Sequence, residues 1–265
     1  MMMIIKLGGS VITDKKVKYR FRPNVTDRLV KEFKPVIKKH QMVLVHGAGS
    51  FGHILSKKYE LDKGFRSPGQ LAKVAEVKKD VRELDLKILN ILIKNGLNPI
   101  SISPSSIISN NNKSISKIDL TAFEKPMALN FIPVTYGDIV MDSSLGFSIC
   151  SGDQIILHLA KKYKPDRVIL VTNVDGVYTR PPGKGRKTEL IENINVRSKS
   201  DLELVKQIEA EMKVADVTGG IFEKLRISME IAKSGVKADI INGTVKNRLN
   251  DCVKGRKVIG TTIQG

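Results

Sequence analysis

The sequence predicts an α/β protein in which helices cover a parallel sheet, and three observations carry that prediction. Apolar runs rich in β-branched residues recur along the chain, segments of helical spacing separate them, and glycine clusters stand where one pattern gives way to the other. The strand-like runs are Met3–Leu7, Met42–His46, Pro99–Ser103, Phe131–Val134, Val168–Thr172 and Ala238–Asn242. Between them lie Val25–Lys39, Leu71–Lys94, Gln154–Tyr163, Phe222–Lys233 and Val245–Cys252, each with helical spacing. Continuous apolar strands alternating with helices are the mark of a sheet buried on both faces. Thr13–Pro23, Pro104–Ile118 with its Asn110-Asn111-Asn112 run, and Tyr178–Glu189 carry neither period and read as surface loops or lids. No repeat, low-complexity stretch or linker interrupts the pattern, so residues 1–265 are expected to form a single α/β unit.

Composition narrows the class further. Of 265 residues, 41% are hydrophobic and 27% charged, which supplies a core and excludes wholesale disorder. Two cysteines far apart, Cys150 and Cys252, support neither a disulfide scaffold nor a cysteine-ligated zinc site. A reducing cytoplasm is the expected compartment. No stretch approaches the roughly 18–20 apolar residues that span a bilayer, so no membrane association is expected. Lys and Arg number 45 against 27 Asp and Glu, a formal charge of +18. Such an excess invites nucleic acid, yet the basic residues are dispersed, aromatics are only 5% with no Trp, and no nucleic-acid motif appears. A solvated basic surface that draws in anionic substrates explains the same number.

The chemistry is concentrated in the glycine clusters. Lys6-Leu7-Gly8-Gly9-Ser10 ends the first strand, where glycines let backbone N–H groups approach an anion and Lys6 adds a point charge. Alone, it is equally an ordinary turn. His46-Gly47-Ala48-Gly49-Ser50-Phe51-Gly52-His53 follows another strand and spells GxGxxG, but no acidic residue stands about 20 positions on as a dinucleotide fingerprint requires. The segment reads instead as a phosphate-binding turn at a helix N-terminus. Ser151-Gly152-Asp153 and Val217-Thr218-Gly219-Gly220, with Lys224 one turn on, repeat the pattern. Glycine turns with Lys6, Lys15 and Lys224 nearby suit a ligand with several phosphates. Asp153 is either a helix N-terminal acid set against the dipole or an orienter of the lysines. Thr172-Asn173-Val174-Asp175-Gly176-Val177-Tyr178 is either an Asp-Gly turn or a shelf for a nucleotide. His40 and His158 lack any motif and read as solvated or core-edge residues, while His46 shapes its turn. No Walker A spacing, HExxH, EF-hand or GxSxG elbow is present, which removes P-loop kinases, metalloproteases and serine hydrolases, and no metal-ligating side chain is expected.

Taken in order, these segments together with Gly137-Asp138-Ile139-Val140 resemble the amino-acid kinase superfamily, and within it the archaeal isopentenyl phosphate kinase branch, from Ile4 to about Gly243. His53 in the GAGSFGH loop is the most specific element of the likeness. The resemblance implies a three-layer αβα sandwich with an open, mainly parallel sheet, usually a homodimer, in which residues 1–150 hold the acceptor and 151–265 hold ATP. It implies ATP-dependent phosphorylation of isopentenyl phosphate to isopentenyl diphosphate, with Mg²⁺, in isoprenoid biosynthesis by the alternate mevalonate route. By the same likeness Lys6, Lys15, His53 and Asp153 would be catalytic. Gly8, Gly47, Ala48, Gly49, Gly52, His53 and Gly152 would hold the acceptor's phosphate, and Val74, Val77, Val81 and Ile149 its hydrocarbon tail. ATP would meet Lys6, Gly8, Gly9, Ser10, Thr172, Asn173, Asp175, Gly176, Val177, Tyr178, Gly219, Gly220 and Lys224. Two positions depart from the family's habit: Gln154 and Asn173 stand where carboxylates are common. A phosphonate kinase of the fosfomycin type is the nearest alternative, and the polarity of the acceptor pocket separates the two.

A phosphate monoester explains the choice of residues. With a second pKa near 6 it is already largely dianionic at neutral pH, so its oxygen attacks without a general base. The difficulty is bringing two polyanions together, and lysines with directed N–H groups address it around a loose, in-line transition state.

Overall fold

The computed structural model describes residues 2–14, 16–37, 39–180, 188–214 and 220–265, with backbone alone over 211–214. β1 (Met2–Leu7) ends in the one-turn α1 (Gly9–Ile12), and α2 (Pro23–Ile37) returns the chain to β2 (Gln41–His46). Next come α3 (Gly49–Lys58), a 3-10 turn at Leu61–Lys63 and the 26-residue α4 (Gly69–Lys94). β3 (Pro99–Ser101) and α5 (Pro104–Ile107) lead into β4 (Ile108–Asn111), β5 (Ser114–Ile118) and α6 (Thr121–Ala128). β6 (Ile132–Tyr136), the hairpin of β7 (Asp138–Asp142) and β8 (Gly146–Cys150), and α7 (Gly152–Tyr163) follow. The last part holds β9 (Arg167–Thr172), β10 (Val177–Tyr178), β11 (Leu190–Ile191), β12 (Asn193–Asn195) and α8 (Lys199–Val214). It closes with α9 (Gly220–Lys233), β13 (Lys237–Asn242), α10 (Arg248–Val253) and β14 (Gly260–Gln264).

The main sheet has eight strands in the order β12-β14-β13-β9-β1-β2-β6-β3. The six runs read from the sequence are six neighbours in it, β13 to β3, and they pair in parallel throughout. Only β14, antiparallel to β13, and β12, parallel to β14, run the other way. Alternation along β1 shows why its apolar run is unbroken. Met3, Ile5 and Leu7 pack with Leu29, Val30 and Phe33 of α2 and Leu84, Ile88 and Leu92 of α4, whereas Ile4 joins Ile155 and Leu159 of α7 and Leu225 of α9 on the opposite face. This is the three-layer arrangement. A smaller cluster, Leu55, Leu61, Val77, Val81, Tyr136, Ile139 and Phe147, sits between α3, α4 and the β7–β8 hairpin.

Two expectations are corrected. Pro104–Ile118 is not an irregular loop: it contains α5 and the β4–β5 hairpin, part of a second sheet ordered β5-β4-β7-β8. Its Asn-rich run hides the strands because Asn112 and Lys113, both at positive φ (47° and 67°), form a two-residue hairpin turn of the kind that favours Asn, while Asn110 is buried and donates to Ser148 Oγ at 2.9 Å. The helix expected over Val245–Cys252 begins only at Arg248. Asn242 Oδ1 accepts from both the N–H and the hydroxyl of Thr244, at 2.9 and 2.6 Å, which turns the chain before the helix can start. Glu32 of α2 then accepts from the N–H groups of Asn247, Leu249 and Asn250, a cap supplied from over 200 residues away in sequence.

The second sheet is held by Asp142, whose carboxylate accepts from the N–H groups of Asn112, Lys113, Ser144 and Leu145 at 2.8–3.1 Å. Burial by itself would raise this carboxyl, but those bonds and the Ser148 hydroxyl hold it at about 2, below the ordinary 3.8. A depressed carboxyl contributes stability above its unfolded value and loses it as pH falls toward the folded one. The melting temperature of Asp142→Asn is therefore expected to lie below that of the wild type at pH 6. Thermal scans from pH 4 to pH 2 should show the gap narrowing; a gap independent of pH would contradict the assignment.

Candidate active site

The site lies where the parallel strands end, the position at which open α/β sheets bind ligands. β1 and β2 are neighbours with Leu7 opposite His46, so the two glycine turns that follow them meet. Gly47 N–H donates to Leu7 O at 3.0 Å, Thr13 Oγ1 donates to Gly9 O at 2.6 Å, and Ser50 N–H donates to Thr13 Oγ1 at 3.0 Å. A Cβ on Gly9 would lie 2.5 Å from Gly49 N, and Gly49 itself has φ +51°. Glycine is required on both sides of that contact. His46 is buried behind the turn, stacked on Tyr136 with centroids 5.1 Å apart and its Nε2 3.2 Å from Asp85 Oδ1, so it braces the strand ends.

Above this floor stand three charges. Lys6 of β1 and Asp153 of α7, only 4% and 6% exposed, form an ion pair, and Lys224 of α9 lies 3.7 Å from the same carboxylate oxygen while donating to Gly220 O at 2.8 Å. Asp153 is in the first turn of α7, so it faces the positive end of the dipole as well as two ammonium groups. Burial pushes the Lys6 ammonium down to about 8, against the pull of Asp153 and with the help of Lys224. Burial alone would raise the Asp153 carboxyl, but Lys6 and Lys224 beside it hold it low. The other Asp153 oxygen, Oδ1, is buried and has no hydrogen-bond partner among the described residues. Two ammonium groups thus stand over a floor of backbone N–H groups, a surface suited to anionic oxygens, with the Glu223 carboxylate lining the same cleft.

The cleft above has a volume of about 650 Å³. Gly8, Gly9, Ser10, Gly220, Glu223 and Lys224 line one end, and Val77, Val81, Ile139 and Ile149 line the other, with Gly47–Gly49, Gly52, His53 and Gly152 around it. Asp138, 5% exposed, contributes to the wall and accepts from Lys78 Nζ at 2.8 Å. Among the described residues no cluster of three or more His, Cys, Asp or Glu is placed to hold a metal ion.

The sequence pattern of the Amino acid kinase family matches residues 1–242. The chain belongs to the amino acid kinase family. It is 35% identical to the isopentenyl phosphate kinase of Methanothermobacter thermautotrophicus, over 100% of this chain and 99% of that protein. With the isopentenyl phosphate kinase of Thermoplasma acidophilum the identity is 33%, over 99% and 100%. A solved isopentenyl phosphate kinase structure superposes with a TM-score of 0.86 at 32% identity, covering 100% of each chain.

This amino acid kinase brings most of the residues singled out in the sequence to one cleft: Lys6, Gly8, Gly9, Ser10, Gly47, Ala48, Gly49, Gly52, His53, Val77, Val81, Ile149, Gly152, Asp153, Gly220 and Lys224. Val74 is half-buried and packs against the apolar cluster behind the wall. Lys15 and Gly219 lie outside the described residues. Thr172, Asn173, Asp175, Gly176, Val177 and Tyr178 continue from β9 beside the Gly8 turn, whose N–H donates to Val171 O at 2.8 Å, but they do not line the cleft. Val177 is buried in the core, and Asp175 is paired with Arg248 and accepts from Asn242 Nδ2 at 3.1 Å. Gln154 is no replaced carboxylate in the cleft: with Ser151 it makes a reciprocal capping box at 3.0 and 3.2 Å, and its Nε2 donates to Lys113 O at 2.9 Å. The S-x-x-Q spacing was there to be read. Ile139, Asp138 and Glu223 were missed as lining residues. Ile139 stands opposite Ile149 in the β7–β8 hairpin, which the Asp142–Leu145 turn between alternating residues signals.

Replacing Gly9 by Ala would set a methyl group against the backbone of Gly49 and force the two turns apart. Gly9→Ala is expected to lose about 1–3 kcal/mol, the usual cost of overpacking. Denaturant melts of the variant would check this; an unchanged midpoint would mean that the turns do not depend on the contact.

Proposed function

We propose that this kinase transfers the γ-phosphoryl group of ATP to isopentenyl phosphate, giving isopentenyl diphosphate and ADP. The observation that carries the proposal is the union, in one cleft, of a cationic glycine floor with a wall of Val77, Val81, Ile139 and Ile149. A ligand with a phosphate at one end and a short hydrocarbon at the other needs both surfaces. The apolar wall favours an isoprenyl tail over the polar phosphonate of the fosfomycin type, and the full-length likeness to isopentenyl phosphate kinases supports the same substrate.

In this reading the acceptor's phosphate oxygen attacks in line with the leaving β-phosphate, and the chain's part is positioning and charge. The N–H groups of Gly9, Ala48 and Gly49 donate to phosphate oxygens, while Gly8 and Gly47, whose own N–H groups are bonded to Val171 O and Leu7 O, let the ligand approach the backbone closely. Lys6 and Lys224 neutralise the transferring group, held in register by Asp153, and the proposed role of Lys15 is a further cation for the same charge. His53 donates to the acceptor's phosphate. Gly220 and the exposed Asn173, in the segment beside the Gly8 turn, would attend the nucleotide, with Asp175 fixed by Arg248 and Val177 held in the core. Mg²⁺ would enter with the nucleotide and offset phosphate charge, since among the described residues no cluster of three or more His, Cys, Asp or Glu is placed to hold it. Residues 1–150 thus form the acceptor half and 151–265 the nucleotide half. Leu86 and Ile93 of α4, Ile100 of β3, and Leu129 and Phe131 before β6 are exposed apolar side chains on neighbouring elements, a surface suited to a homodimer. No helix among the described residues is long and apolar enough to cross a membrane, and the two buried, unbridged thiols suit a reducing cytoplasm.

Purified protein is expected to release ADP from Mg·ATP with isopentenyl phosphate, and not with fosfomycin, UMP, acetylglutamate or no acceptor. Turnover on one of those in its place would move the function to a sister kinase. His53→Ala should raise the acceptor KM about tenfold and lower turnover while ATP affinity stays within about twofold, as expected for loss of one charge-assisted hydrogen bond. Equal loss of ATP binding would contradict the role. Because Lys6 carries its proton below about 8 and loses it above, nucleotide affinity of the free enzyme should weaken as pH rises through that value. Lys6→Arg, whose guanidinium stays charged, should remove the dependence in calorimetric titrations.

A further inference from the structure

One buried charge takes no part in the transfer described above. Asp80 of α4 is 0% exposed, set between Val77 and Val81, the two residues of that helix that line the cleft. A carboxylate in such a place is costly unless something holds it. Its Oδ2 accepts from the Tyr19 hydroxyl at 2.6 Å, whereas its Oδ1, 3.2 Å from the exposed Lys79 Nζ, has no hydrogen-bond partner among the described residues, so the Tyr19 bond is the one that holds it. Tyr19 belongs to the segment between α1 and α2 and adopts φ +61°, a left-handed conformation that a bulky side chain rarely takes. What secures it there is contact with two helices at once. Its ring lies 5.4 Å from that of Phe51 in α3, its hydroxyl reaches Asp80, and Lys18 Nζ sits 4.4 Å from its ring centroid and 3.5 Å from Glu76 Oε1. Tyr19 is 40% exposed as a whole, but loss of solvent at its hydroxyl, then the bond to Asp80, raises the phenol, so it remains a donor. The root of the same segment is Thr13, which ties Gly9 to Ser50 at the floor of the cleft.

We propose that the Tyr19–Asp80 hydrogen bond is a positioning clasp for the transfer. It fastens Lys18 and Tyr19 against α3 and α4, and so sets the distance between the phosphate-binding turn of α3 and the apolar wall of α4. Tyr19 and Asp80 touch neither substrate; they act through Phe51, Val77 and Val81. This inference rests on the acceptor lying between α3 and α4 as proposed above.

The test uses the full chain and four variants: Tyr19→Phe, Asp80→Leu, the double variant, and Asp80→Asn, which keeps an oxygen to accept from the hydroxyl. Tyr19→Phe is expected to lower kcat with isopentenyl phosphate about tenfold with the ATP KM within about twofold, the scale of one lost hydrogen bond at a positioned group. Asp80→Leu should match it, the double variant should be no worse than either single, and Asp80→Asn should stay within about threefold of wild type. Amide hydrogen exchange over residues 49–53 should quicken in Tyr19→Phe, a readout that needs no acceptor. Wild-type kcat in Tyr19→Phe with only a lower melting temperature, multiplicative losses in the double variant, or unchanged exchange would each overturn the clasp. Silence of the wild type on isopentenyl phosphate would instead overturn the substrate assignment, and the exchange measurement would still decide the clasp.

Discussion

Everything in the cleft depends on how a buried carboxylate is shared between two lysines. Asp153 cannot sit 6% exposed without compensation, and Lys6 and Lys224 provide it from two other elements. One anion thereby ties β1, α7 and α9 together at the point where the main sheet ends. The same sharing sets two ammonium groups, Lys6 and Lys224, over the glycine turns. The site is thus built with an affinity for anions that the fold itself does not consume.

Around that centre the molecule separates its tasks by sheet. The main sheet carries the glycine turns at the ends of β1 and β2, where parallel pairing places them side by side. The smaller sheet and α4 carry the apolar wall, with Ile139 and Ile149 paired across the β7–β8 hairpin and facing Val77 and Val81 in one cluster. The lysine-bearing glycine floor and the apolar wall therefore belong to different structural units that meet along α3 and α4. A kinase for an amphiphilic acceptor needs that meeting to be exact in spacing, which gives a reason for anchoring one segment at both Thr13 and Tyr19.

The parts that were hard to read share one cause. The Asn110–Asn112 run looks like loop because its polar side chains are spent on a turn and on a bond to Ser148, which lies 38 residues away. The start of α10 was misjudged because Glu32 caps it from α2, and no local spacing records such a partner.

By itself, the sequence determined the six parallel strands, the helices between them and the glycine-rich, lysine-bearing character of the junctions. These follow from periodicity and residue type, which act over a few neighbours. Tertiary structure alone decided which junctions touch, that Asp153 serves two lysines, that a second sheet furnishes half of the apolar wall, and that Asp80 reaches Tyr19 across 61 residues. Burial and pairing between distant segments are properties of the packed chain, and no window of sequence contains them.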